Sequence, residues 1–319
     1  SDVYKRQAQA ATMRSKYTGK SYTHNARFNK LEVLNGVDIS AWQEKVNWKK
    51  IKNDGIDFAI LRAGYGKKAS QEDAYFATNF KNATAAGLPV GIYWYSYAKS
   101  VADVEKEARL CLQVLGSRTL DLPVFYDLEE SSQLNKGKAF CTQLVEHFCS
   151  IIAAAGHTPG LYMSRSPLLD YIEQETRGRY ALWVAEYGSK TCKYDGDYLM
   201  WQYADNGKVA GVNGNTDMDF LYGNKNSLPG SATLLKSKTY TGKAITPAPT
   251  VTGGNDAQGL PTLKWNAVSG AAKYEVYRAR SKDGDYIKYS TVTGTSYTNT
   301  SYIENGNTYY YKAVSYTHL

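Results

Sequence analysis

No stretch of the 319-residue chain reaches the roughly 18 apolar residues that a membrane-spanning helix needs, so no membrane span is expected. The first thirty residues also lack the apolar core of a secretory signal. Either the chain acts in the cytosol or its export signal lies outside this sequence. Cysteine is scarce: Cys111, Cys141, Cys149 and Cys192 show neither a C-x-x-C spacing nor a neighbouring His pair, which argues against a zinc site. Cys141 and Cys149 fall in one helical pattern about 12 Å apart along the axis, too far to bridge. Cys111 with Cys141 or Cys149 across neighbouring helices is one reading, and free buried thiols are the other. Histidine is equally sparse, and His24, His147, His157 and His318 have no partner at catalytic spacing, so structural or exposed roles are expected. The chain has 8 phenylalanines against 28 tyrosines and 6 tryptophans. Amphipathic rings in that excess suit surfaces that stack on sugars, although strands also favour them.

The formal charge of +8 is not spread evenly. Residues 1–30 hold seven Lys or Arg (Lys5, Arg6, Arg14, Lys16, Lys20, Arg27, Lys30) against the single acid Asp2. The remaining 31 basic and 29 acidic residues nearly cancel, so a nucleic-acid partner is not expected. Residues 1–30 read as a basic flexible leader. Residues 1–7 and 315–319 resemble sequence attached to a fragment, and no function is placed on them.

Apolar, strand-like runs recur at 33–39, 58–64, 90–97, 122–128, 160–164, 181–187, 199–203 and 218–222. Helical patterns at 48–53, 72–86, 101–115 and 138–155 separate the early runs and stop at Gly55, Gly87, Gly116 and Gly156. Alternating strands and helices predict parallel βα units. The spacing shortens after residue 164, leaving little room for crossover helices. The expected fold is therefore an α/β, irregular TIM-like barrel over residues 31–225, with eight strands and fewer helices, and a site at the carboxyl ends of the strands. Residues 226–260, rich in Gly, Ser, Thr, Lys and Pro, read as a linker. Short alternating strands over 261–319 predict a small all-β, immunoglobulin-like sandwich. Trp265 and Tyr309-Tyr310-Tyr311 make it resemble a fibronectin type III module lacking its last strand.

The most informative run is Leu122-Pro123-Val124-Phe125-Tyr126-Asp127-Leu128-Glu129. Alternation along a strand places both terminal carboxylates on one face, with Cα atoms about 6.5–7 Å apart, a setting for acid/base chemistry or for a structural ion pair. The first strand ends on Asp38 and the last begins near Asp217 and Asp219. First and last strands adjoin when a barrel closes, so these acids are expected at the same mouth. Tyr93, Tyr95 and Tyr97 share a face, and Tyr162, Trp183, Tyr187, Trp201 and Tyr203 bring further rings to mouth or core. Clustered acids can also bind Ca²⁺ or Mg²⁺.

Seven motifs occur in order: Gly-Val-Asp-Ile-Ser-x-Trp-Gln, Phe-Ala-Ile-Leu-Arg-Ala-Gly, Gly-Ile-Tyr-Trp-Tyr-Ser-Tyr, the Asp-Leu-Glu strand end, Leu-Trp-Val-Ala-Glu-Tyr, Met-Trp-Gln-Tyr and Asp-Met-Asp-Phe. Over about 190 residues they resemble the family-25 glycoside hydrolases, lysozymes of the Chalaropsis type. The resemblance implies an N-acetylmuramidase that cleaves the β-1,4 bond between N-acetylmuramic acid and N-acetylglucosamine in bacterial peptidoglycan. It implies an extracellular or wall-associated protein, expected to be a monomer, without cofactor or metal. Carried over by motif, Glu129 matches the general acid, Asp127 the carboxylate beside it, and Asp38 and Asp217 the remaining acids, with Asp219 the alternative in the last motif. Tyr65, Tyr95, Tyr126, Trp183, Tyr187, Trp201 and Asp219 are expected to bind substrate. A route through the substrate's own N-acetyl group, assisted by Asp127, fits neighbours at i, i+2 better than the carboxyl separations of simple retaining or inverting enzymes. A family-18 chitinase is disfavoured because Val124 and Phe125 replace its additional acids. A non-catalytic glycan-binding barrel is the remaining alternative.

Overall fold

A computed structural model describes residues 11–226, 228–229, 251–269, 271–283, 286–300 and 307–316. They fall into two units that part at residues 234 and 235.

In the first unit, two short strands, β1 (Thr12–Arg14) and β2 (Ser21–Thr23), pair antiparallel. Eight strands then close a barrel: β3 (Glu32–Ile39), β4 (Phe58–Tyr65), β5 (Val90–Tyr95), β6 (Val124–Asp127), β7 (Pro159–Ser164), β8 (Ala181–Ala185), β9 (Met200–Gly207) and β10 (Thr216–Gly223). The helices are α1 (Trp48–Asn53), α2 (Phe76–Ala85), α3 (Val101–Leu115), α4 (Ser131–Leu134), α5 (Lys138–Ala154), α6 (Arg165–Tyr171) and α7 (Gln174–Arg179). None follows β8 or β9. Local sequence explains the helix limits. Ser100 caps α3 by accepting from the Asp103 N–H at 3.1 Å, and Gly116, at φ 59°, ends it in a conformation other residues resist.

Strands β3 to β9 run parallel, as βα units require, but β10 is antiparallel to both β9 and β3. A parallel return needs about a dozen residues or more, usually a helix. Residues 208–215 are too few for that, so β10 comes back as a hairpin. Its amino end, not its carboxyl end, therefore reaches the mouth.

The lower barrel is filled by Leu34, Phe58, Ile60, Leu122, Phe125, Trp183, Met200 and Leu221. Two glycines make room for the large rings. A Cβ on Gly36 would lie 2.2 Å from the Phe58 ring, and one on Gly160 would lie 2.5 Å from Phe125.

The expectation of a flexible leader over residues 1–30 does not hold for residues 11–30. Residues 1–10 lie outside the described residues. Tyr17, Tyr22, His24 and Phe28 are buried. Tyr22 packs on Trp201, Tyr203 and Phe220; His24 packs on Phe220 and bonds the Tyr222 hydroxyl at 2.7 Å. Phe28 stacks on Tyr222 with centroids 4.0 Å apart. The cause is the missing helices: with no helix after β8 or β9, the aromatic outer face of β9 and β10 would stand in water. The amino-terminal segment covers it instead, and each large ring taken out of water is worth about 2–3 kcal/mol.

All four cysteines are free and buried, which settles the choice between bridge and thiol.

The second unit has two three-stranded antiparallel sheets, ordered β11–β12–β15 and β14–β13–β16. Their strands are β11 (Val251–Asn255), β12 (Pro261–Trp265), β13 (Lys273–Ala279), β14 (Ile287–Val292), β15 (Ser296–Thr298) and β16 (Tyr310–Tyr316). Leu263 and Trp265 of one sheet share a core with Tyr274, Val276 and Ala313 of the other. Residues 251–255, expected in the linker, instead form β11 and pair with β12. The linker stretch 230–250 lies outside the described residues.

Candidate active site

Side-chain alternation puts every second residue of each barrel strand inside. Above the apolar floor, that parity delivers Asp38 from β3, Arg62 from β4, Tyr93 from β5, Asp127 from β6, Tyr162 from β7, Gln202 from β9, and Asp217 and Asp219 from β10. The pairing of β10 with β3 sets Asp217 directly opposite Asp38, and the β5–β6–β7 register aligns Tyr95, Asp127 and Tyr162. The four aspartates predicted to share a mouth are thus brought together.

Hydrogen bonds tie the ring into one network. Gln202 donates from Nε2 to Asp38 Oδ2 at 2.8 Å, and its Oε1 accepts from the hydroxyls of Tyr162 and Tyr187. Trp183 Nε1 donates to Asp219 Oδ1 at 2.7 Å. No donor reaches Asp127 Oδ1 or Asp219 Oδ2, though both are buried. Carboxylates that face other carboxylates form hydrogen bonds only when one member of the pair holds a proton.

The electrostatics follow. Burial, reinforced by Asp219, holds Asp38 well above the ordinary carboxylate range, and burial with repulsion from Glu129 does the same to Asp127. Burial and Asp38 push Asp217 up to about 9. Burial and Asp217 push Asp219 up to about 8, against the hydrogen bonds it makes. The site therefore retains protons at neutral pH. Arg62 opposes the trend at Asp127; its Nε donates to Asp73 Oδ2 at 2.8 Å, and its guanidinium lies 5.2 Å from the Tyr65 ring centre. Burial also keeps the Tyr93 and Tyr162 hydroxyls protonated.

Glu129 sits differently from the aspartates. Strand β6 ends at Asp127, so Glu129 lies two residues past it and is exposed at the rim, close enough to perturb Asp127, Tyr95 and Asp217. Tyr95, half-buried, donates its hydroxyl to Glu130 Oε1. Tyr65 contacts Tyr97 edge-on at the rim, and Tyr187 is 45% exposed. Trp183 and Asp219, 2% and 0% exposed, form the floor of the mouth.

Two residues expected to bind substrate are elsewhere. Tyr126 lies between Phe125 and Asp127, which occupy the interior, so it points outward; its ring stacks on Phe148 of α5 at 4.4 Å and its hydroxyl bonds Ser96 Oγ at 2.6 Å. Trp201 lies between Met200 and Gln202 and points outward by the same parity, with Nε1 donating to the Glu186 carbonyl at 3.0 Å. Both are completely buried behind the barrel wall. Sequence reasoning gave no role to Arg62, Gln202 or Glu130. The signal for the first two was strand parity: Phe58, Ile60 and Arg62 share one face, as do Met200 and Gln202. Among the described residues, no group of three or more His, Cys, Asp or Glu is arranged to hold a metal ion.

Residues 37–212 match the family model described as glycosyl hydrolases family 25. The protein YegX of Escherichia coli O157:H7 is 30% identical over 206 residues, which span 61% of this chain and 72% of YegX. Lysozyme M1 of Streptomyces globisporus is 26% identical over 220 residues, 63% of this chain and 70% of that protein. The modular autolysin LytC from Streptococcus pneumoniae, solved with a synthetic peptidoglycan ligand, has a TM-score of 0.55 at 24% identity, covering 67% of this chain and 52% of LytC. That likeness speaks to the fold.

Proposed function

The chain belongs to glycosyl hydrolase family 25, and we propose that it is a lysozyme of the Chalaropsis type, an N-acetylmuramidase that cleaves the β-1,4 bond between N-acetylmuramic acid and N-acetylglucosamine. Its glycoside-hydrolase action on peptidoglycan accords with relatives such as Lysozyme M1. The observation that carries the residue roles is the contrast between an enclosed Asp127, 4% exposed, and an exposed Glu129 that repels it. Such repulsion favours one proton shared by the pair. On Glu129, at the open rim, that proton is placed to reach the leaving glycosidic oxygen. Asp127, left ionised, accepts the N–H of the substrate's acetamido group and steers its oxygen to the anomeric carbon. Glu129 then takes a proton from the water that opens the cyclic intermediate. Asp38 and Asp217 stabilise developing positive charge on the sugar, with Gln202 fixing the Asp38 carboxyl. Tyr65, Tyr95 and Tyr187 line the rim where sugar rings would stack, above the Trp183 and Asp219 floor.

Clearing of purified bacterial cell walls by wild type and by Glu129→Gln tests the assignment. Loss of at least about a hundredfold in rate is expected, and equal clearing by both proteins refutes it. Reducing ends on muramic acid support a muramidase, whereas ends on glucosamine replace that reading with a glucosaminidase. The acetamido route predicts that de-N-acetylated glycan is cut far more slowly. A glycosyl–aspartate trapped on Asp127 refutes it.

The facing sheets of the second unit suit a fibronectin type III-like module that spaces or attaches the barrel. A monomer acting outside the cell or at the wall is the reading that fits this substrate. No helix among the described residues is long and apolar enough to cross a membrane.

A further inference from the structure

One buried carboxyl is not used by the chemistry above. The inward stripe of α3 is Val104, Ala108, Cys111 and Leu115, and Glu107 interrupts it with no exposed surface. An apolar side chain is what helix periodicity would place there. Burying a carboxyl is costly unless donors compensate it, and the donors on Glu107 come from the segment that ends β5. Ser96 Oγ donates to Glu107 Oε1 at 2.8 Å, and the Tyr97 N–H donates to Oε2 at 3.0 Å. Burial lifts the carboxyl to about 7 against these two bonds.

Ser96 is a hub. Its hydroxyl also bonds the Tyr126 hydroxyl at 2.6 Å and accepts from Gln133 Nε2 at 2.9 Å and the Ala98 N–H at 3.1 Å. Gln133 Nε2 further donates to the Ala98 carbonyl at 3.0 Å. Through its backbone, Ser96 donates to the Asp127 carbonyl at 2.9 Å. Tyr126 is the residue before Asp127. Gln133 belongs to α4, which begins two residues after Glu129. The network thus grips the chain on both sides of the Asp127–Glu129 pair while touching neither carboxyl.

We propose that Glu107 is a positioning residue, a buried clamp on α3 that acts through Ser96, Tyr126 and Gln133 to fix the Asp127–Glu129 segment against the end of β5. It sets the separation of the two carboxyls. The inference rests on the functional reading above, because its readout is glycan cleavage.

Kinetics of Glu107→Leu, Glu107→Gln and Ser96→Ala on solubilised peptidoglycan provide the test, with Glu129→Gln as the control. Leucine fills the space but accepts nothing. Its kcat is expected to fall about ten- to a hundredfold, the cost of a displacement near 1 Å, with KM within about twofold. Glutamine accepts from the Tyr97 N–H through Oε1 and donates to Ser96 Oγ through Nε2, so it should restore kcat to within about threefold. Ser96→Ala loses the hub and should lower kcat with KM unchanged. Wild-type kcat in a folded Glu107→Leu protein overturns the proposal. If that variant fails to fold, wild-type kcat in Ser96→Ala overturns it equally. An activity loss in Glu107→Leu that vanishes on cooling below its melting transition assigns Glu107 to stability alone and also overturns it. Full activity in Glu129→Gln is a different result, since it removes the catalytic assignment itself.

Discussion

Replacing Asp219 by Asn should make the protein more stable at neutral pH, and by an amount the structure lets one work out. Asp219 is fully buried, bonded to Trp183 and coupled to Asp38 and Asp217. Its carboxyl titrates at about 8 in the fold against an ordinary 3.8. The folded state therefore binds more protons than the unfolded chain between those values, and stability falls as pH rises through them, by about 1.4 kcal/mol per unit for one proton. The contribution is fully present below about pH 4 and is lost by about pH 8. At pH 7 the accumulated cost is on the order of 4 kcal/mol. Asparagine mimics the protonated acid: its Oδ1 accepts from Trp183 Nε1, and its Nδ2 donates toward Asp38. A gain of about 2–4 kcal/mol at pH 7, roughly 5–15 °C in Tm, is expected, with almost none at pH 4. Urea melts at pH 4, 5.5, 7 and 8, followed by tryptophan fluorescence, read the barrel transition, since Trp265 alone of the 6 tryptophans lies in the second unit. If Asp219→Asn melts with the same pH slope as wild type, or is less stable at pH 7, the buried-acid reasoning is refuted.

Three further outcomes follow from other parts of the molecule. Deleting residues 1–30 should cost at least about 5 kcal/mol, because Tyr17, Tyr22 and Phe28 leave with the segment and bare the outer face of β9 and β10; a truncated barrel with an unchanged melting curve contradicts this. His24, lowered to about 4 by burial, binds fewer protons in the fold than in the unfolded chain, so it contributes stability above about pH 6.5 that drains away toward pH 4. His24→Phe should remove that acid-side component, and an identical difference in slope between pH 4 and 6.5 would argue against it. Tyr126→Phe and Trp201→Phe should leave KM for glycan unchanged while lowering stability by about 1 kcal/mol for each lost hydrogen bond, whereas Tyr187→Ala should raise KM; a raised KM in the first two places them at the substrate after all.

The barrel was legible because its strands are apolar runs closed by glycine-stopped helices, and six of the eight expected starts lie within a residue of those observed. The exceptions are β6, which begins at Val124 rather than residue 122, and β10, which begins at Thr216 rather than residue 218. The acids were legible because a carboxyl at the end of such a run has few reasons to be there. What stayed hidden depended on contacts distant in sequence. Residues 11–30 read as a polar, basic arm because their few aromatics are spaced irregularly; only the bare face of β9 and β10 gives Tyr17, Tyr22 and Phe28 a place to bury. Tyr126 and Trp201 sit in motifs among functional residues, yet strand parity alone excludes them from the mouth. That exclusion was available once Asp127 and Gln202 were taken as inward.

The antiparallel β10 carries a consequence for how the site is paid in stability. A parallel strand would offer the mouth only its last inward residue, as β3 offers Asp38 and β6 offers Asp127. A strand entering at the mouth can place two inward acids in succession, Asp217 opposite Asp38 and Asp219 one step deeper, against Gly36. The deeper acid has no solvent and a tryptophan donor on only one oxygen. It raises the proton affinity of Asp38, which faces the shallower acid across the β3–β10 ladder. The hairpin that spares a crossover helix thus supplies both the extra carboxyl and the bare outer face that residues 11–30 must cover. Chemistry at the mouth and the amino-terminal wrap are two effects of the same short connection.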